Sequence, residues 1–234
     1  MLIHKFPTIL ETYFVDEAKT IPTASWGKIT EGDGYLGPRI KRLTGAGIMS
    51  GWALPVTCPD GNIMSISVAL QYLRDTTPVG RWVMVVSPEV ATGLEIQSGL
   101  WNYLYSAMAW EVGFVGAVVA GYSRDTDEIR DKLGKEFSVF GHGSTLVPAS
   151  MEVGGDVGAP VTINNVVIRT GDLIVGDGDG VIVIPKDQVT DVIHRAQASI
   201  VHEANFMAHV REGMGAVDVL DLRNELKGIV EIEE

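Results

Sequence analysis

A parallel α/β fold is predicted by three features of the chain. Two short, continuous apolar runs, residues 82–86 and 114–120, have the pattern of strands buried on both faces. A helix-length segment lies between them, the spacing of a crossover connection. The C-terminal third then supplies a dense strand region and a long amphipathic stretch, and no internal repeat or linker divides the sequence. One domain over residues 1–234 is therefore expected.

The elements follow in order. Residues 1–22 read as a helical extension, with Phe6, Ile9, Leu10, Tyr13 and Phe14 at helical spacing and a turn at Ile21-Pro22-Thr23. Residues 30–45, rich in Gly, read as loop. Residues 48–56 form a strand, closed by Pro59-Asp60-Gly61. Residues 62–73 place Ile63, Ile66, Leu70 and Leu73 on one helical face. The 82–86 strand leads into a loop over 87–97, a helix over 98–112 and the 114–120 strand. A short helix after Arg124 and a strand at 137–140 come next. Residues 161–168 and 172–184 are strand-rich, and the Asp-Gly pairs within Gly176-Asp177-Gly178-Asp179-Gly180 mark a hairpin. Pro185 ends that region, and a long helix runs over 186–212.

Composition narrows the function. With 46% hydrophobic and 21% charged residues, the 234-residue chain has the apolar material for a packed core, which excludes a disordered protein. Thirty acids against 18 bases give a net charge of −12. That repels phosphate backbones, so nucleic acid is not an expected partner, whereas a basic protein segment remains one. One cysteine, Cys58, forms no internal disulfide and suits a reducing compartment. No signal-peptide pattern opens the chain, and no run reaches the roughly 20 apolar residues of a membrane helix. A cytoplasmic protein without membrane contact is expected.

Few residues carry a chemical signal. Arg124-Asp125 follows a buried strand, and the C-terminal ends of parallel strands are where open α/β sheets bind ligands. There an Arg can grip a carboxylate through two hydrogen bonds, and an Asp can hold a metal. The competing reading is structural, with Asp125 capping a helix that begins with Asp127 and Glu128. Ser98, Gly99 and Leu100, at the expected start of the 98–112 helix, would offer backbone N–H groups to an anion. His142 sits in a glycine-flanked loop. His202-Glu203 and His209 lie on the long helix, but Phe206 occupies the position at which a zinc-protease motif needs histidine. Cys58 lacks the basic context of a nucleophile.

Three stretches together resemble one family. They are Gly51-Trp52-Ala53-Leu54-Pro55-Val56-Thr57 with Asp60-Gly61-Asn62, then residues 113–125 (GFVGAVVAGYSRD), then residues 171–185 (GDLIVGDGDGVIVIP). The family is RraA-like and contains the regulator of ribonuclease E activity A and the 4-hydroxy-4-methyl-2-oxoglutarate aldolases. The resemblance runs from about residue 23 to the end of the chain. It implies a layered αββα body with a long C-terminal helix, assembled as a homotrimer or homohexamer with active sites between subunits. It also implies that Arg124 binds the substrate carboxylate, that Asp125 holds Mg²⁺ or Mn²⁺, and that Glu203 reaches the metal from a neighbouring subunit, on the 186–212 helix.

The sequence departs from the family at four acidic positions. Tyr103 stands where a second acid near the metal is usual. Ala120, Lys28 and Ser87 stand at the other three. A phenol, with a pKa near 10, does not replace a carboxylate in holding metal-bound water, but it can act as a general acid or hydrogen-bond donor. Glu89 and Glu95, in the 87–97 loop, are candidates for the missing charge.

Three readings follow. The first is a metal-dependent lyase, an aldolase or decarboxylase, for a small 2-oxo carboxylic acid, using Arg124, Asp125, Tyr103 and Glu203 with the Ser98–Leu100 amides. The second is a divergent enzyme that hydrolyses or isomerises another carboxylated metabolite through Tyr103, Lys28 or His142. The third is a non-catalytic protein that regulates a ribonuclease by docking on it.

Overall fold

In the computed structural model, which describes residues 1–6, 12–76, 81–88 and 96–222, the two apolar runs are neighbouring parallel strands. The first half of the chain contains α1 (Thr12–Ala18), α2 (Thr23–Ile29), β1 (Lys41–Thr44), β2 (Met49–Thr57), α3 (Met64–Thr76), β3 (Trp82–Ser87), β4 (Gly99–Trp101) and α4 (Tyr103–Glu111). The second half contains β5 (Phe114–Val119), β6 (Tyr122–Ser123), α5 (Thr126–Leu133), β7 (Ser138–Gly141), β8 (Gly143–Ser144), β9 (Val161–Ile163), β10 (Val166–Ile168), β11 (Leu173–Gly176), β12 (Val181–Ile184), α6 (Val189–Arg211) and α7 (Ala216–Val219).

A seven-stranded sheet runs β1-β7-β5-β3-β2-β11-β12. Its interior strands β7, β5, β3 and β2 are parallel, while β1 and β11 pair antiparallel to their neighbours β7 and β2. Alternation along each strand assigns the two faces. Trp52, Leu54 and Val56 of β2 and Trp82, Met84 and Val86 of β3 face the helices α1, α3, α4 and α6. Ala53, Val83 and Val85 face the other way, under Leu36, Ile40 and the β9–β10 hairpin. Burial on both faces explains why these strands are continuously apolar. The expected α/β class holds, with helices on one side and a second, smaller β layer on the other. Among the described residues, no helix is long and apolar enough to cross a membrane.

Several boundaries differ from expectation. The first residues are extended, not helical: His4 N–H donates to Val157 O and Val157 N–H to Leu2 O, both at 2.9 Å. Phe6 precedes Pro7, which disfavours helix at that position. Ile9 and Leu10 lie outside the described residues. A helix, α2, begins straight after the Pro22 turn. Asp177 holds its start, its carboxylate accepting from Thr23 N–H at 2.8 Å and from the Thr23 hydroxyl. The glycine-rich turn therefore joins β11 and β12 as a hairpin, as expected, and Asp177 is a cap. Within the expected 30–45 loop, Lys41–Thr44 forms an edge strand whose charged residues hid it.

One buried carboxylate ties the end of the sheet together. Asp172 accepts from Arg169 N–H at 2.8 Å and from Lys186 N–H at 3.0 Å, joining the start of β11 to the segment that enters α6. Burial holds its carboxyl above the ordinary carboxylate range, against the opposing pull of those two bonds. A carboxyl whose pKa is raised by folding binds its proton more tightly in the folded state. Wild-type protein should therefore lose stability relative to Asp172→Asn as pH rises from the ordinary carboxylate value through the raised folded value, with a constant gap above it. Urea unfolding of both proteins across that range checks this, and a wild type that gains on the variant with rising pH contradicts it.

Candidate functional site

Beyond the main sheet, three short strands form a second, parallel one in the order β4-β6-β8. Gly99 pairs with Tyr122 and Trp101 with Ser123, while Tyr122 pairs with Gly143 and Ser123 with Ser144. The ladder continues past the strands: Arg124 N–H donates to Trp101 O at 2.7 Å and Thr145 N–H to Ser123 O at 2.9 Å. The C-terminal ends of these strands therefore deliver Asn102-Tyr103, Arg124-Asp125 and Thr145 to one edge. Such an edge is open because the next backbone groups leave the ladder, which is why ligands favour it.

Trp101 anchors this edge. It is fully buried, stacks on Phe137 at 6.2 Å, and donates through Nε1 to Ser106 Oγ at 2.7 Å. Burial of a side chain that size is worth about 2–3 kcal/mol, enough to fix where β4 stops. Asn102 then caps α4, its Oδ1 accepting from Tyr105 N–H at 2.9 Å.

Ser98, Gly99 and Leu100 are thus not a helix start. Gly99 and Leu100 are strand residues, and Gly99 N–H is already bonded to Val147 O at 2.9 Å. The backbone anion site expected from these three residues is corrected: β4 pairing consumes the amide that a helix end would have left open. Gly99 serves Arg124 differently. A Cβ on Gly99 would lie 2.4 Å from Arg124 Cγ and 2.6 Å from Cδ, so the arginine stem lies across the bare backbone.

Asp125 adopts φ 58°, ψ 31°, a left-handed conformation that Asp tolerates better than most residues. It precedes α5 but makes no capping hydrogen bond there. The structural reading of Asp125 as a cap for that helix is therefore not what the chain does. Its exposed carboxylate faces the start of α4 instead, with Tyr103 N–H directed at Oδ2 over a long 3.5 Å. Arg124, Asp125 and Tyr103 thus stand together, with Gly99 and Leu100 of β4 beside them and Ser98 just before that strand.

Other candidates lie elsewhere. Glu203 is exposed on α6, beyond Ala196, the last buried residue of that helix. Among the described residues no group of three or more His, Cys, Asp or Glu side chains is placed to hold a metal ion. Lys28 is on α2, which packs against α6 and β12 at the far end of the main sheet. Cys58 is buried 3.6 Å from Ser65 Oγ. Glu89 and Glu95 lie outside the described residues. Ser87, Ala120 and His142 line a separate cavity together with Arg39 and Asn164, two residues that sequence patterns did not single out. Asn102 was also missed, although an Asn directly before an apolar helical run is a capping signal.

Comparison with known proteins places this geometry. The chain matches the RraA-like family, described as Aldolase/RraA, over residues 12–183. It is 31% identical over 187 residues to a Halalkalibacterium halodurans protein whose provisional name is 4-hydroxy-4-methyl-2-oxoglutarate aldolase, covering 80% of this chain and 83% of that one. An uncharacterised Pseudomonas syringae protein of known crystal structure superposes with a TM-score of 0.72 at 24% identity, over 91% of this chain and 99% of that one. The RNA-processing inhibitor RraA from Thermus thermophilus superposes with a TM-score of 0.57 at 22% identity, over 70% and 93% of the two chains. The two superpositions speak for the fold alone.

The contact between Gly99 and Arg124 is testable. In Gly99→Ala the arginine stem is the flexible partner and must give way, so the fold should persist while the guanidinium moves. Oxalate binding, measured by calorimetry, should weaken about tenfold with little change in the unfolding midpoint. Unchanged oxalate affinity would show that Arg124 does not depend on the glycine.

Proposed function

The chain belongs to the RraA-like family, and from that premise we propose that it is a carbon–carbon lyase, an aldolase or decarboxylase acting on a small 2-oxo carboxylic acid with Mg²⁺ or Mn²⁺. One observation carries the reading: Arg124 and Asp125 emerge together at the open end of the β4–β6–β8 sheet, beside the start of α4. The aldolase name of a relative 31% identical to this chain supports the reaction class.

Arg124 would bind the substrate carboxylate through paired N–H donors, held in place by the Gly99 shelf and the Trp101 carbonyl. Asp125 would hold the metal. Mg²⁺ retains several waters and needs only one or two protein carboxylates beside substrate oxygens, so an exposed single Asp suits it. When bound, the metal polarises the 2-oxo group and stabilises the enolate charge. Tyr103 would supply a phenolic O–H donor beside Asp125 where relatives have an acid. We further propose that the exposed second half of α6 packs on a neighbouring copy in a trimer or hexamer, bringing Glu203 towards that copy's Asp125.

Activity separates the roles. Wild-type protein with Mg²⁺ or Mn²⁺ should release pyruvate from at least one member of a 2-oxo acid panel. Asp125→Asn keeps a residue that tolerates the left-handed backbone, so its loss of rate, about a hundredfold, reports the carboxylate and not strain. Arg124→Lys should raise KM, because a point charge does not reproduce the paired contact. No pyruvate from any panel member, or a wild-type rate in Asp125→Asn, would overturn the lyase reading.

The charge of −12 favours a second reading, a regulator that docks on a basic ribonuclease segment. Binding of that kind should fall steeply as salt is raised from low to physiological strength. An immobilised basic ribonuclease segment that retains none of the protein even at low salt would dispose of it.

A further inference from the structure

A cavity of about 370 Å³ lies beside β12, between the end of α2 and the first turns of α6. β12 is the opposite edge of the main sheet from β1, where β8 and α5 bring the Arg124 site. Val183, Ile184 and Val192, all buried, form the apolar floor of the cavity. Charged groups of both signs stand around it: Glu31 and Asp33 from the turn after α2, and Arg195 from α6. A concave site with an apolar lining and a few polar groups is the ordinary form of a small-ligand pocket.

The turn is held by its backbone. Asp33 N–H donates to Thr30 O at 2.9 Å, and Val183 N–H to Gly34 O at 3.0 Å. Gly34 takes φ 84°, and a Cβ there would lie 2.1 Å from Val183 O, so the turn rests directly on β12. The acids play no part in this: among the described residues, the Glu31 and Asp33 carboxylates make no hydrogen bond or ion pair. Thr30 Oγ1 also has no partner among the described residues, although it is shielded from solvent. Shielded polar oxygens are nearly always hydrogen-bonded, so this one points to a bound molecule.

Arg195 stands against the same turn. Its Nη2 donates to Ile29 O at 3.1 Å, one residue before Thr30, which ties α6 to the end of α2. Its Nη1 lies 3.4 Å from Asp191 Oδ2. That pair is exposed and long, a contact of little strength. A guanidinium has five N–H donors, so most of them are left for a ligand. Donors and acceptors thus meet above one apolar floor. We propose that the cavity binds an apolar α-amino acid as its zwitterion. Arg195 takes the carboxylate, for which its planar donor fork is suited. Glu31, Asp33 and Thr30 Oγ1 supply an acceptor for each of the three ammonium N–H donors. The apolar side chain covers Val183, Ile184 and Val192. This site does not depend on the lyase reading.

L-Leucine is the probe, titrated by calorimetry into the full-length protein. It should bind saturably. Glycine lacks the apolar group, leucinamide the carboxylate and 4-methylpentanoate the ammonium; each should bind about tenfold more weakly or worse. Arg195→Gln should weaken leucine about tenfold and leave leucinamide unchanged, while Asp33→Asn should weaken both. Arg124→Gln should alter neither. The comparison of ligands in wild-type protein does not rely on how any variant folds. Absence of saturable leucine binding, equal affinity for leucine and leucinamide, or a loss of leucine binding in Arg124→Gln would each overturn the proposal.

Discussion

Burial of the central parallel strands on both faces is the constraint from which the rest follows. Helices take one face and the β9–β10 hairpin the other, so the side chains along β2, β3 and β5 are packed into the two cores short of the strand ends. Only the strand ends are open. The chain places polar residues there: Ser87 and His142 at the main sheet, and Asn102, Arg124 and Asp125 one short ladder further on. The β4–β6–β8 sheet acts as an extension that carries the backbone from the buried interior to the Arg124 edge.

What holds that edge is mostly backbone and one aromatic. The 2.7 Å bond from Arg124 N–H to Trp101 O sets the height of Arg124 against β4, and the buried Trp101 sets β4 against Phe137 and Ser106. Asp125 then costs about 1–2 kcal/mol as a left-handed residue. A conformation of that kind is kept where the surroundings determine it, and functional sites are where such residues gather. Its carboxylate, freed from capping α5, stays at the surface beside the N-terminus of α4. The proposed lyase chemistry needs that availability.

The sequence was most legible where one physical signal dominated. Continuous apolar runs gave β3 and β5, the Asp-Gly turn gave the β11–β12 hairpin, and the buried strand before Arg124-Asp125 put that pair beyond a strand end. Legibility failed where tertiary pairing overrode local pattern. Gly99 and Leu100 sit next to apolar helical residues, yet pairing with β6 makes them strand. Lys41–Thr44 is too charged to announce itself, because an edge strand needs little apolar surface. Phe6 and Tyr13 share a helical spacing, but Pro7 and the pairing of Ile3 with Val157 keep the first residues extended. The cavity beside His142 was unreadable for another reason. Arg39, Ser87, His142 and Asn164 are far apart in sequence, and only the fold makes them neighbours.

The central claim is that Arg124 and Asp125 form a metal-assisted carboxylate site even with Tyr103 in place of an acid. Calorimetric titration of Mn²⁺ into the protein, with and without oxalate as a mimic of the pyruvate enolate, tests it most directly. The account predicts that oxalate tightens Mn²⁺ binding and that Asp125→Asn abolishes this enhancement. Mn²⁺ binding that is absent, or indifferent to both oxalate and Asp125, would contradict it.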